Sequence, residues 1–154
     1  FEKKARVYPH EHWILEETLD YTLTPNDPAL IKGQPFLVED TWTIQVSEFD
    51  NYSASVLLNL NNPRKGSKIS IGFDARARHD ILQTRAVLDL GGERKVFGLD
   101  AYLKKDEWVK IEFLIEPKAA ITSPIILYFW NAASVEKVEF KNLQINHYYS
   151  DSYL

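Results

Sequence analysis

Strict alternation of apolar and polar side chains is the feature that most limits the folds open to this chain. It runs through residues 68–78, whose apolar members are Ile69, Ile71, Phe73, Ala75 and Ala77. Successive side chains of a β-strand point to opposite faces, so the pattern predicts a long strand with one buried and one polar face. The polar face would carry Lys68, Ser70, Asp74, Arg76 and Arg78.

Other segments typical of β-strands recur along the chain, separated by short loops rich in Pro, Asn, Asp and Gly. Further strands are predicted at 13–23, 36–46, 54–60, 84–90, 93–100, 109–115, 125–130 and 135–148. Gly91-Gly92 joins two of them and predicts a tight hairpin, because glycine tolerates the positive φ of such turns. No helical segment is available to connect parallel strands. The sequence therefore predicts an all-β fold, an antiparallel two-sheet β-sandwich of the jelly-roll type.

Size and composition favour a single domain. A chain of 154 residues, 45% of them hydrophobic, supplies one continuous core. The absence of cysteine excludes disulfides and thiolate metal sites, and a net charge of −4 argues against nucleic acid as a partner. No apolar run approaches the roughly 18 residues of a membrane-spanning helix. Because the sequence opens on Phe1 and lacks methionine, we expect part of a larger or processed protein with flanking domains.

Three residues near the start of the sequence are candidate metal ligands. His10, His12 and Glu16 fall on one face of an extended strand, and their order resembles the first metal motif of the cupins. The glycine-led turn and the later histidine strand of that motif are missing, so surface histidines are the favoured interpretation. No serine-nucleophile elbow and no phosphate-binding glycine loop occur. The sequence thus predicts no catalytic residues and a protein that is not an enzyme.

Charged side chains on the predicted strands are the candidate ligand contacts. Arg76 and Arg85, on successive strands, are expected to point away from the core and to share one polar sheet face with Trp42 and Tyr102. Aromatic rings stack on the apolar face of a sugar, while Arg hydrogen-bonds to its hydroxyls. Such a surface suits a glycan. The alternative interpretation is the solvated face of an ordinary antiparallel sheet.

The other large aromatic residues divide into two predicted groups. Trp108 begins a strand and Trp130 ends the most apolar one, so both are interpreted as core or core-edge residues. Tyr52 and Phe97 lie near predicted loops and join Trp42 and Tyr102 as candidate stacking rings.

Motifs in the second half of the chain together resemble those of a known family. Lys105-Asp106-Glu107-Trp108 forms a charged turn that opens a strand, Leu127-Tyr128-Phe129-Trp130-Asn131 follows, and Lys141-Asn142-Leu143-Gln144-Ile145 lies in the last strand. This succession is similar to that of the jelly-roll carbohydrate-binding modules and galactose-binding-like domains of secreted bacterial proteins. The resemblance covers residues 66–149 well and residues 1–60 loosely, where Phe1-Glu2 resembles the usual start of these domains.

The resemblance implies a non-catalytic module that binds a polysaccharide or other glycan on its concave sheet face. Trp42, Arg76, Arg85 and Tyr102 would be the contacts, and the location would be extracellular, cell-surface or periplasmic. The first alternative is a structural or protein-interaction domain with no sugar ligand. A less favoured alternative is a metal-dependent enzyme built on the two N-terminal histidines.

A structural calcium ion is a further implication of the resemblance. Several family members hold one between the first and last strands, and Glu2 and Asn142 occupy the matching positions here. Asn142 replaces the usual carboxylate beside Lys141, and this loss of negative charge disfavours a hard cation.

Overall fold

Eleven β-strands make up the described part of the chain in the computed structural model, which covers residues 13–78, 83–132 and 137–150. They are β1 (Trp13–Asp20), β2 (Leu30–Lys32), β3 (Phe36–Val38), β4 (Thr41–Val46), β5 (Ser55–Leu58), β6 (Ser67–Ala77), β7 (Thr84–Asp89), β8 (Arg94–Gly98), β9 (Trp108–Ile115), β10 (Ile125–Asn131) and β11 (Val138–Ser150). Within these ranges no helix is long and apolar enough to cross a membrane.

The strands form two antiparallel sheets. The six-stranded sheet has the order β3-β4-β11-β6-β9, and β1 pairs with the second half of β11. The five-stranded sheet has the order β2-β5-β10-β7-β8. Trp13 pairs with Ser150, so the first and last described residues lie side by side. This architecture is the predicted all-β, two-sheet jelly-roll sandwich.

Phenylalanine side chains join the two sheets at the centre of the core. Phe129 of β10 stacks on Phe140 of β11, with ring centroids 3.7 Å apart. Phe73 of β6 meets Phe129 edge to face at 4.9 Å and Phe140 at 5.8 Å. All three are fully buried. The predicted inward face of β6 is confirmed, because Phe73 and its alternate neighbours are buried in this core.

One strand prediction was wrong in detail, and one strand was missed. The segment 36–46 is two strands, β3 and β4, because Glu39 and Asp40 both adopt positive φ and make a two-residue turn between Val38 and Thr41. Strand β2 was not predicted. It is three residues long and its register shifts between Leu30 and Lys32, so it shows no alternation that a sequence pattern could reveal.

The Gly91-Gly92 hairpin is confirmed as the connection between β7 and β8. The amide of Leu90 donates to the carbonyl oxygen of Glu93 at 2.8 Å. The two glycines are not equivalent. Gly91 has a φ of 97°, and a Cβ added there would lie 2.3 Å from Cβ of Ser123. A Cβ added at Gly92 would contact nothing within 4 Å.

This difference predicts opposite outcomes for two adjacent substitutions. Gly91→Ala should lower the free energy of unfolding by about 1–2 kcal/mol, because a left-handed backbone is strained for alanine and Ser123 would have to move. Gly92→Ala is the matched control and should change it by less than about 0.5 kcal/mol. Urea denaturation of both variants measures the two values. Equal losses would contradict the assigned turn geometry.

Candidate functional site

The two sheets present chemically different outer faces. We call the outer face of the five-stranded sheet the aromatic face; its strand residues are Lys32, Ser55, Leu57, Arg85, Val87, Asp89, Arg94, Val96, Gly98, Ile126, Tyr128 and Trp130. We call the outer face of the six-stranded sheet the charged face; its central residues are Gln45, Gly72, Asp74, Arg76, Trp108, Lys110, Glu112, Glu139, Lys141 and Gln144. Each set follows from the alternation of strands whose other side chains fill the core.

Three rings form a cluster on the aromatic face. Tyr52, in the loop before β5, forms an isolated bridge with Trp130, and the two ring planes are parallel within 3° with centroids 6.2 Å apart. Tyr128 lies two residues before Trp130 on the same side of β10, with its centroid 6.0 Å from that of Tyr52. Tyr52 is 55% exposed. The cluster is therefore an apolar, partly open surface made of rings in offset-parallel and tilted contact.

Backbone bonds fix the loop that carries Tyr52. The amide of Ser53 donates to the carbonyl of Phe129 at 3.0 Å, and the Ser53 hydroxyl accepts the Phe129 amide at 2.9 Å. The amide of Asn131 donates to the carbonyl of Asn51 at 2.7 Å. The loop thus continues the ladder of β10, and Tyr52 is held in register with Trp130 instead of being free to swing.

Arg85 borders this ring cluster. It pairs directly with Trp130 across β7 and β10, and its guanidinium carbon lies 5.6 Å from the centroid of the Trp130 ring. This distance is within the range of cation–π attraction. On its other side Arg85 pairs with Gly98 of β8, which has no side chain.

Arg76 has very different surroundings on the charged face. It is 7% exposed, its Nε donates to Glu139 at 2.9 Å, and its Nη1 donates to Glu39 at 2.9 Å. Burial lowers the pKa of Arg76, but its bonds to the two carboxylates outweigh burial and raise the pKa above its ordinary value. Arg78 also reaches Glu139, at 3.2 Å. Arg76 is therefore held by structural ion pairs that tie the β3–β4 turn to β6 and β11.

Other polar side chains of the charged face also form hydrogen bonds with one another. A groove of about 370 Å³ lies over Gly72, and four of its polar side chains bond to one another in pairs. Asn142 donates to Asp74 at 2.6 Å, and Gln144 donates to Asp20 at 2.7 Å. Trp108 is covered by two cations, with Arg76 4.5 Å and Lys141 4.0 Å from its centroid. These polar groups and this ring are therefore already engaged within the protein.

The expectation that Arg76 and Arg85 share one face was wrong. Strands β6 and β7 belong to different sheets, so the two side chains lie on opposite outer faces of the sandwich. Trp42 does not join either face, because it points to the same side of β4 as Ile44 and packs against the core. Tyr102 is exposed in the turn that follows β8. The structure therefore leaves Arg85 near the ring cluster and separates it from Arg76 and Trp42.

Three further interpretations of aromatic residues need correction. Trp130 and Trp108 are not core residues; they lie half-buried on the aromatic and charged faces. Phe97 points inward and stacks on Phe113 at 4.2 Å, so it is part of the packed interior. The apolar run around Trp130 concealed its outward direction, because both sides of β10 carry apolar residues.

Both metal predictions fall partly beyond the described ranges. Glu2, His10 and His12 lie outside the described residues, while Glu16 is exposed and accepts a bond from the side chain of Asn61. Asn142 adopts a φ of 54° in a bulge of β11. Among the residues that the structure describes, no group of three or more His, Asp or Glu side chains could hold a metal ion. The calcium site at Glu2 and Asn142 stays a prediction.

A buried Ser-His-Glu constellation was missed by the sequence analysis. Nε2 of His147 lies 3.1 Å from the Ser67 hydroxyl, and its Nδ1 lies 2.9 Å from a carboxylate oxygen of Glu17. This is the hydrogen-bond order of a serine hydrolase triad. However, His147 is 0% and Ser67 1% exposed, and the Ser67 hydroxyl also accepts the amide of Arg64. No substrate can reach this hydroxyl, so the constellation links β1, β6 and β11 in the folded protein.

The structural role of the Arg76 ion pairs gives a testable prediction. Glu139→Gln should lower the free energy of unfolding by about 3 kcal/mol, because it leaves a buried guanidinium without its buried charge partner. Glu39→Gln removes the exposed partner of the same arginine and should cost less than about 1 kcal/mol. Chemical denaturation of both variants at neutral pH measures the difference. A loss as small for Glu139→Gln as for Glu39→Gln would contradict this assignment.

Comparison with known proteins gives a likeness of fold. No family model and no curated protein matches the sequence. Among solved structures, a xylan-binding module (CBM15) superposes with a TM-score of 0.56 at 8% identity, over 84% of this chain and 95% of that one. The CBM22-1 xylan-binding domain of Paenibacillus barcinonensis Xyn10C has a TM-score of 0.46 at 10% identity, over 88% and 85% of the two chains. The first superposition shows that the chain has the jelly-roll fold of a solved carbohydrate-binding module.

Proposed function

We propose that this chain is a non-catalytic glycan-binding module and that it binds carbohydrate on the aromatic face. The observation that carries this proposal is the partly exposed cluster of Tyr52, Tyr128 and Trp130 on the outer side of a sheet. The resemblance suggested a concave sheet face as the site. We assign that role to the five-stranded sheet, because Tyr52 of its ring cluster is exposed, whereas Trp108 on the charged face is covered by two cations.

Physical chemistry explains why such a surface suits a sugar. The C–H bonds on one side of a pyranose make an apolar face, which gains contact area on an aromatic ring without losing the hydration of its hydroxyls. Hydrogen-bonded strands fix the rings, so little conformational entropy is lost when a glycan binds. The similarity of fold to a xylan-binding module supports the same proposal and makes xylan the first glycan to test.

We also assign Arg85 and Tyr102 to the proposed site. Arg85 contacts Trp130, and Tyr102 lies exposed in the turn beyond Gly98, which is paired with Arg85. The proposal does not use the other two predicted contacts, Arg76 and Trp42, because the first is engaged in ion pairs and the second faces the core.

We further propose that the module acts within a larger exported protein and performs no catalysis itself. The motif resemblance to secreted modules supports an extracellular, cell-surface or periplasmic location. The complete burial of Ser67 and His147 supports a non-catalytic role, because the one hydrolase-like constellation among the described residues is closed to substrate.

Removal of the exposed rings should abolish most of the binding. Tyr52→Ala and Trp130→Ala should each weaken binding to a polysaccharide by at least about tenfold, as expected for ring contacts at the centre of an interface. Affinity electrophoresis and calorimetry against xylan and a panel of other polysaccharides measure the effect. Thermal unfolding checks that each variant is folded.

Phe36→Ala is the matched control, because Phe36 is a comparably exposed ring on β3 of the other sheet. It should leave binding unchanged. Binding that survives in a Tyr52→Ala, Trp130→Ala double variant would place the site elsewhere. If the unmodified protein binds no polysaccharide, the proposed function is wrong and a structural or protein-interaction role becomes the better account.

A further inference from the structure

Arg85 differs from Arg76 and Arg78 in having no carboxylate partner among the described residues. Arg76 binds Glu39 and Glu139, and Arg78 binds Asp106 and Glu139. No carboxylate of the described residues forms an ion pair with Arg85, and its one hydrogen bond runs from Nη1 to the carbonyl of Gln83 at a long 3.4 Å. The guanidinium therefore keeps most of its donors for a ligand.

The space beside Arg85 is open. Gly98, its direct partner on β8, would have nothing within 4 Å of an added Cβ. On the opposite side stands Trp130, whose ring centroid lies 5.6 Å from the guanidinium carbon, within the range of cation–π attraction. A planar group of a bound sugar could therefore approach the guanidinium while the sugar ring lies on the neighbouring aromatic cluster.

The charge of the aromatic face is opposite in sign to that of the whole chain. Its described strand residues include the cations Lys32, Arg85 and Arg94 and the single carboxylate of Asp89. The complete sequence carries a net charge of −4. This local excess of positive charge attracts an anionic ligand to the ring cluster and repels a cationic one.

We infer that the preferred ligand is an acidic glycan and that Arg85 binds the carboxylate of a uronic acid residue. The inference rests on the proposed function, because it names the class of glycan for the same site. A guanidinium presents two parallel N–H donors that match the two oxygens of a carboxylate. The aromatic rings would bind the sugar backbone, and the arginine would select chains that carry the acid.

The test compares polymers that differ only in the acid group. The probes are glucuronoxylan, polygalacturonate and alginate, each with its own carboxyl-reduced form. Calorimetry on the unmodified protein should show at least one acidic polymer bound roughly ten- to a hundredfold more tightly than its reduced form. The difference should shrink as salt is raised, because part of it is electrostatic.

Three variants separate the guanidinium from charge in general. Arg85→Gln should remove the preference for the acidic polymer, so that its affinities for the acidic polymer and for the reduced polymer become nearly equal. Arg85→Lys keeps the positive charge but loses the paired N–H donors. It should therefore retain only part of the preference for the acidic polymer over the reduced one. Arg94→Gln is the control, because it removes a cation from the same face at a position that pairs with Asp89 and away from the rings. It should retain most of the preference.

Each failure has a distinct meaning. Equal affinity for acidic and reduced polymers would overturn the uronate assignment and leave glycan binding intact. A loss in Arg94→Gln as large as in Arg85→Gln would overturn the specific role of Arg85. Equally tight binding of polyglutamate would overturn recognition of an acidic sugar. No binding to any polymer would overturn the proposed function itself.

Discussion

The contact of three phenylalanines between the sheets is the constraint on which the other features depend. Phe129 stacks on Phe140 and meets Phe73 edge to face, so β10 is locked against β11 and β6 at the centre of the sandwich. A shift of one residue in any of these strands would turn the ring out into water and a neighbour into the core. Burial of large apolar rings strongly disfavours such a shift.

The outward residues beside those rings are fixed by the same contact. Inward Phe129 obliges Tyr128 and Trp130 to face out, and inward Phe140 does the same for Glu139 and Lys141. One core therefore supports two outer faces of different character. On one, Arg76 and Glu139 are buried as ion pairs; on the other, a partly exposed ring cluster lies beside an arginine that no carboxylate of the described residues engages. Among the described residues, a ligand would meet a fixed ring cluster beside an unpaired guanidinium on the second face.

The sequence pattern was sufficient for the fold but not for the site. Alternation located the buried side of β6, and two glycines located the hairpin, because both depend on neighbours along the chain. The sheet that each strand joins depends on distant pairing, so Arg76 and Arg85 were wrongly placed together. Trp130 was misjudged since β10 is apolar on both sides. Ser67, Glu17 and His147 lie on three strands that are far apart in the sequence. No local sequence pattern therefore predicts that their side chains meet.

The pairing of Trp13 with Ser150 has a mechanical consequence. Because these residues are neighbours at one end of the β1–β11 ladder, the polypeptide enters and leaves the described sandwich at a single corner. Tension applied through the two ends would break the β1–β11 ladder one residue pair at a time. It would not load all the hydrogen bonds of the ladder at once. The five-stranded sheet lies outside this load path. A pull along the chain would thus detach β1 first, while the ring-bearing surface stays folded.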